Sequence, residues 1–283
     1  MSVGYYHTSY GNFYVLDNTL VSPTDYTTYC VTAPGDPRLP AGISGQQLCG
    51  LADVNPNRFG QNQSIVTLSS NYGKQSEVYD GVDVSMNARL RKLTVTDGWN
   101  IGDALQTGIA AGGTASARQN NCFVVDSPQQ LYNCDVKIPF QNRVKFSASY
   151  LLPYDVQLAT VVQSAPGPTY NANVTYTAAQ IQPSLGRVLS GGTATTTINV
   201  LPPFSQFGDR INQVDLRGGK IFRVGRKRIQ ANVDLYNLFN ISPVLNYNST
   251  YGTLGSATAG AVFLQPTQIL DGRLVKFSFQ LDF

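Results

Sequence analysis

Apolar and polar residues alternate with a period of two at the end of this chain. From Arg273 the sequence runs R-L-V-K-F-S-F-Q-L-D-F, which puts Val275, Phe277, Phe279, Leu281 and Phe283 on one side of an extended strand. Leu274, Lys276, Ser278, Gln280 and Asp282 take the other side, because strand side chains point alternately to opposite faces. The pattern recurs upstream. Over residues 226–239, Ile229, Ala231, Val233 and Leu235 oppose Gln230, Asn232 and Asp234. Over 210–224, Val214, Leu216, Phe222 and Val224 oppose Gln213, Asp215, Arg217 and Arg223. Lys220 interrupts the apolar side there, and near a rim its ammonium can snorkel to the interface. Residues 141–152 set Val144, Phe146, Ala148, Tyr150 and Leu152 against Arg143, Lys145, Ser147 and Ser149. After a Pro153-Tyr154 turn, residues 155–166 set Val156, Leu158 and Val162 against Asp155, Gln157 and Gln163. Residues 77–90 align Val78, Val82, Val84, Met86, Ala88 and Leu90, broken by Asp80, a charge expected near the rim of such a face.

Between these strands, long connections alternate with short ones. Residues 17–74 and 240–271 read as long polar loops, as does the stretch carrying Cys122 and Cys134, and 169–208 as another long loop or a strand extension, whereas the joins at 153–154 and 225 are tight turns. Residues 3–16 read as extended and tyrosine-rich, and 65–68 as a strand end protruding beyond the main set. Residues 91–102 read as a turn region with Trp99 as an interfacial anchor, and 103–118 as a weak, glycine-rich strand. The predicted fold is all-β: about eight antiparallel strands in a meander, apolar on one side and polar on the other, as in a transmembrane β-barrel. With the last residue on the periplasmic side, every long loop falls outside.

Composition sharpens this picture. Charged residues make up 13% of the chain, about half the usual share, and Gly, Thr, Ser, Asn and Gln replace them, a mixture that suits strands and turns. A net charge of +3 is too small and dispersed to point to nucleic acid. No apolar run reaches the roughly 18 residues of a helical membrane span. Residues 1–6 lack the basic and apolar regions of a signal peptide, so the chain is expected to be a piece of something longer. Cys30 with Cys49 and Cys122 with Cys134 form two local pairs without metal-site spacing. Disulfides there fit an oxidising compartment, each stabilising its loop by about 3 kcal/mol.

Little in the chain points to chemistry. His7 has no nucleophile at meaningful spacing, and the glycines at 112–113 and 218–219 lack the strand-to-helix setting of a phosphate loop. Asp25, Asp36 and Asp53 share one loop; they are either calcium ligands or, the preferred reading, solvated acids. The expectation is a protein without catalytic residues or cofactor. Arg143, Lys145, Asp215, Arg217, Asp234, Lys276 and Asp282 mix both signs on the polar side. They are expected to face a lumen, either lining water, touching a plug, or pairing among themselves.

The run Asp234-Leu235-Tyr236-Asn237-Leu238-Phe239-Asn240, followed by Gln265-Pro266 and by Ile269-Leu270-Asp271-Gly272-Arg273-Leu274-Val275-Lys276-Phe277, resembles the C-terminal end of a TonB-dependent receptor. The large members that carry a carboxypeptidase-regulatory-like domain are the most similar, and Tyr79-Asp80-Gly81-Val82-Asp83 resembles another of their barrel strands. The resemblance implies that residues 1–283 are the C-terminal part of a 22-stranded outer-membrane barrel, embedded in outer-membrane lipid and taking up a scarce nutrient, here an unknown small ligand. It implies contact with the TonB complex only through a plug lying outside this sequence. Phe277, Phe279, Leu281 and Phe283 match the terminal signal read by the barrel-assembly machinery. Two other readings stay open: a self-standing eight-stranded barrel, and a soluble secreted β-sandwich with a binding or adhesion role, whose apolar faces would be buried between sheets.

Overall fold

The structure, a computed structural model, describes residues 1–102, 118–225 and 227–282. Its first strands are β1 (Ser2–Tyr10), β2 (Tyr14–Asn18), β3 (Tyr26–Thr32), β4 (Gln47–Val54), β5 (Ser64–Leu68), β6 (Ser76–Leu90) and β7 (Leu93–Gly102). There follow β8 (Arg118–Asn120), β9 (Asp135–Val136), β10 (Gln141–Leu152), β11 (Val156–Ala165), β12 (Asn173–Thr177), helix α1 (Ala178–Leu185) and β13 (Thr195–Asn199). The last are β14 (Ile211–Val224), β15 (Lys227–Tyr236), β16 (Val244–Tyr247), β17 (Thr250–Thr253), β18 (Pro266–Ile269) and β19 (Leu274–Asp282). The protein is all-β and mostly antiparallel, as expected.

The long strands form one sheet, the wall, in the order β19-β15-β14-β11-β10-β7-β6, with β1 on the far side of β6 and the short β8 and β9 beyond. Chain neighbours pair through turns at 91–92, 153–155 and Gly225, all at one end of the sheet. Gly225 (φ +63°) sits in one of them, where a left-handed residue is required. Register carries the alternation across strands. Phe277, Val233, Gly218, Leu158, Tyr150, Leu93 and Leu90 are successive cross-strand partners and share one face. One residue over, Lys276, Asp234, Arg217, Ala159, Ser149, Thr94 and Arg89 make the matching row on the opposite face. The apolar face is left uncovered, with Phe277 70% and Phe279 78% exposed.

One expectation changes along the wall. Residues 93–102 are not a turn region but a full wall strand; Asp97 interrupts its apolar side, and pairing with β6 on one edge and β10 on the other fixes it in the wall. The expected weak strand at 103–118 lies outside the described residues, apart from Arg118. No closed barrel is found: β1 and β19 do not pair with each other among the described residues, and several small sheets stand apart from the wall.

The largest correction concerns the long loops. Segments 17–74, 119–140, 169–208 and 240–271 all leave the same end of the wall and fold together into a packed head. Its core holds Tyr29, Val31, Leu51, Val174, Tyr176, Ile181, Val200, Leu201 and Phe263, all buried. Helix α1 starts with a capping box, Thr177 accepting from the Gln180 backbone at 3.4 Å while the Gln180 side chain accepts from the Thr177 backbone at 2.8 Å. It ends at Gly186 (φ +78°), the left-handed residue that commonly terminates helices. The helix buries Ile181 and Leu185 and docks on β3, where the Cys30 backbone donates to Ser184 Oγ at 2.8 Å.

Candidate functional site

Two surfaces could act on other molecules: the polar face of the wall and the head above it. The polar face is built by the period-two pattern, so Arg143, Lys145, Asp215, Arg217, Asp234, Lys276 and Asp282 all fall on it. Arg143 and Lys145 share β10, Asp215 and Arg217 share β14, and Asp234 and Lys276 face each other across β15 and β19. Arg217 donates through Nε and Nη2 to both carboxylate oxygens of Asp234, whose side chain is only 4% exposed. Asp215 Oδ1 accepts from the Asn237 backbone at 2.8 Å and from Gln213 Nε2 at 2.9 Å. The face thus divides in two. The β14–β15 side is internally paired around a cavity of about 260 Å³ lined by Asp215, Arg217, Asp234 and Tyr236. The β7–β10 side holds a larger cavity of about 610 Å³, with Asp83, Asn100, Arg143 and Lys145 in its lining.

Charges on the apolar face are few, and most have company. Asp80 accepts from Tyr5 Oη at 2.6 Å, lies 2.7 Å from His7 Nδ1 and is paired with Arg118. Those partners come from β1 and from the first residue of β8, and Asp80 itself lies toward the head-proximal end of β6, the rim expected for it. Lys220 donates to the Tyr154 carbonyl in the turn at the opposite end and lies over the Phe222 ring. Asp97, between Met86 and Phe146 in register, breaks the face.

In the head, charge is used as a fastener. Arg38 grips Asp36 through Nε (2.9 Å) and Nη2 (2.6 Å) and donates to the carbonyls of Phe263 (2.8 Å) and Gly260 (2.9 Å). Its guanidinium also lies 5.2 Å from the Phe263 ring centre, and Tyr251 donates to Asp36 at 3.2 Å. The hydrogen bond from Arg38 holds the buried Asp36 carboxyl at about 2, below the usual range. Arg187 likewise joins Asp53 and donates to the carbonyls of Asp53 (3.1 Å) and Val54 (3.0 Å). Arg58 pairs with Asp25 at 3.1 Å. Asp25, Asp36 and Asp53 therefore do not converge; each has its own arginine, and among the described residues no cluster of three metal-ligating side chains occurs.

Both cysteine pairs are disulfides, Cys30–Cys49 and Cys122–Cys134, the first joining β3 to β4. Phe277, Phe279 and Leu281 lie exposed on the apolar face; Phe283 is outside the described residues. Sequence reasoning missed Arg38, Arg187 and Tyr251. The T-x-x-Q capping box at Thr177 and the short alternation Val174, Tyr176 were the available signals. Compared with known proteins, the chain matches no family model and no curated sequence.

Proposed function

We propose that this chain forms part of the wall and the outer loops of an outer-membrane β-barrel of the TonB-dependent receptor kind, serving uptake of a small nutrient. The observation that carries the reading is the uncovered apolar row running in register from Phe277 to Leu90 across seven strands. A soluble sandwich buries such a face against a second sheet; here large side chains are left bare, which suits acyl chains. On β6 the stretch from Val82 to Leu90 matches the roughly 9–11 residues that a tilted strand needs to cross a bilayer. All long connections leave at one end and all short turns lie at the other, the usual asymmetry of such barrels.

The open sheet supports a barrel wider than eight strands. In lipid an unpaired strand edge leaves backbone groups unsatisfied at several kcal/mol each, so the free edges of β1 and β19 call for further strands. Eight strands enclose only enough space for side chains to fill, yet the polar face carries Gly81, Gly98, Gly102 and Gly219 among its small residues. The last strand, Phe277, Phe279 and Leu281 included, is the element offered to the barrel-assembly machinery.

Trp99, the single tryptophan, is on the apolar face of β7 and tests the reading. The full chain is reconstituted into vesicles whose acyl chains carry bromine, and Trp99 emission is followed. Blue-shifted, bromine-quenched emission is expected. A chain that stays monomeric without detergent, with unquenched Trp99, overturns the proposal.

A further inference from the structure

The turn end of the wall gathers positive charge. Arg89, Arg91 and Lys92 surround the first turn, and Arg223, Lys227 and Arg228 flank Gly225 in the third; all six are exposed. Lys220 adds its ammonium at the second turn, through the Tyr154 carbonyl. Two acids lie at this end among the described residues, and each is already beside an arginine. Arg223 holds Asp155 at 3.1 Å, and Arg228 is 3.8 Å from Asp282. Among the described residues Arg89, Arg91, Lys92 and Lys227 make no ion pair. The whole chain carries a net charge of only +3, so the excess at this end leaves the rest of the molecule slightly acidic. At the head end of the wall the cations are spent on the protein itself: Arg118 pairs with Asp80, and Arg210 donates to Ser164 Oγ at 2.7 Å and Asn142 Oδ1 at 2.6 Å. Large exposed side chains are interleaved with the turn-end charges, among them Leu90, Phe222 and Tyr154, the last 88% exposed. Long cations and exposed rings at the border of an apolar face suit a membrane interface, where stems lie on acyl chains and charged heads reach the phosphates.

We propose that the turn end of the wall binds the headgroups of anionic phospholipids, with Arg91, Lys92 and Lys227 as the main contacts. Arg91 and Lys92 form a turn, and Lys227 falls on the same side of β15 as Ile229, so all three can reach a leaflet that covers the apolar face. The cations are spread over separate turns instead of converging on one pocket, which suits a surface of many mobile phosphates and not a single solute. Cations near an anionic leaflet are attracted charge by charge, and the attraction fades within a Debye length. Paired with acids, Arg223 and Arg228 contribute less. The inference takes the apolar face as meeting lipid and so rests on the preceding proposal, but its test reads headgroup preference and not insertion.

The full chain is reconstituted into phosphatidylcholine vesicles holding a trace of spin-labelled phosphatidylglycerol or, in parallel, of spin-labelled phosphatidylcholine with the same acyl chains. Electron spin resonance gives the fraction of each label immobilised at the protein. Phosphatidylglycerol is expected to be preferred about threefold at low salt, the preference fading as salt screens the charges. Arg91→Gln/Lys92→Gln/Lys227→Gln is expected to abolish the preference, whereas Lys74→Gln/Arg273→Gln, which removes two exposed cations at the head end, keeps it. Thermal melts check that the variants fold, and Arg91→Gln/Lys92→Gln, confined to one turn, should halve the preference if the triple variant does not. Equal immobilisation of the two labels by the unaltered chain, an unchanged preference in the folded turn variants, or an equal loss in the head-end variant overturns the proposal. Polyglutamate added to neutral vesicles probes the other class of partner: binding that the turn substitutions remove, without any phosphatidylglycerol preference, assigns the turns to an acidic protein segment and overturns the lipid assignment. Immobilised lipid of both kinds with no headgroup preference overturns this inference alone; no immobilised lipid of either kind overturns the lipid-facing wall as well.

Discussion

The wall and the head use the same residue types in opposite ways. On the wall, Phe277 and Phe279 are among the most exposed large side chains, while in the head Phe263 and Tyr176 are each 1% exposed. A wall strand is held by its neighbours' backbones and by register, and its apolar face is left for the surroundings to cover. The head buries its apolar residues against each other and fastens its segments with Arg38 and Arg187. The difference teaches that long connections of a sheet protein need not be loose, because several together can supply a core that none has alone.

That comparison can be broken or sharpened by substitution. The largest effect is expected at Phe263→Ala, which should destabilise the head by about 3–5 kcal/mol in urea unfolding, whereas Phe277→Ala should cost the head nothing. Equal losses would mean that the two regions are one cooperative core. Next comes Arg38→Ala, at about 3 kcal/mol, because it strands a buried carboxylate; a loss under 1 kcal/mol would show that Asp36 finds water instead.

Acid should also separate groups inside the head. The folded-state pKa of Asp36 is depressed to about 2 by Arg38, so its contribution is present above the unfolded value and is lost as pH falls toward 2. Asp126 behaves with the opposite sign: burial, then the neighbouring Asp17 carboxylate, raise its pKa. Its contribution is full below the unfolded value and disappears as pH rises through the raised one. Asp126→Asn should therefore stabilise the head at neutral pH and make no difference at pH 3, read from thermal melts at both values. A destabilised variant at pH 7 would contradict this.

The smallest effect belongs to the wall. Asp97→Leu removes the charge between Met86 and Phe146 and should stabilise the chain in lipid by about 1 kcal/mol, an acidic residue on a lipid face costing less than the roughly 2–4 kcal/mol of Arg or Lys. Poorer reconstitution of this variant would argue that the face meets protein instead.

Most wall strands were legible in sequence: residues 141–152 match β10 end to end, and 77–90 match β6 within a residue. The polar set from Arg143 to Lys276 was likewise found on one face. Residues 93–102 were not legible, because Asp97 interrupts the apolar side and only pairing with β6 and β10 fixes the strand in the wall. The head was least legible. Its strands are short, β12 and β13 having five residues each, so Val174, Tyr176 and Ile198 offer too few alternations to stand out in a polar stretch.

The chain's own order of residues determined the strands of the wall and which side of each is apolar, since a period of two is a property of neighbours along the backbone. Tertiary structure alone decided that four distant connections share one core, that Asp25, Asp36 and Asp53 each meet an arginine, and that Lys145 is left without an acid while Arg217 is not. Those outcomes depend on residues up to 225 positions apart, as in the bond from Arg38 to the Phe263 carbonyl, and no local pattern encodes which distant group will arrive.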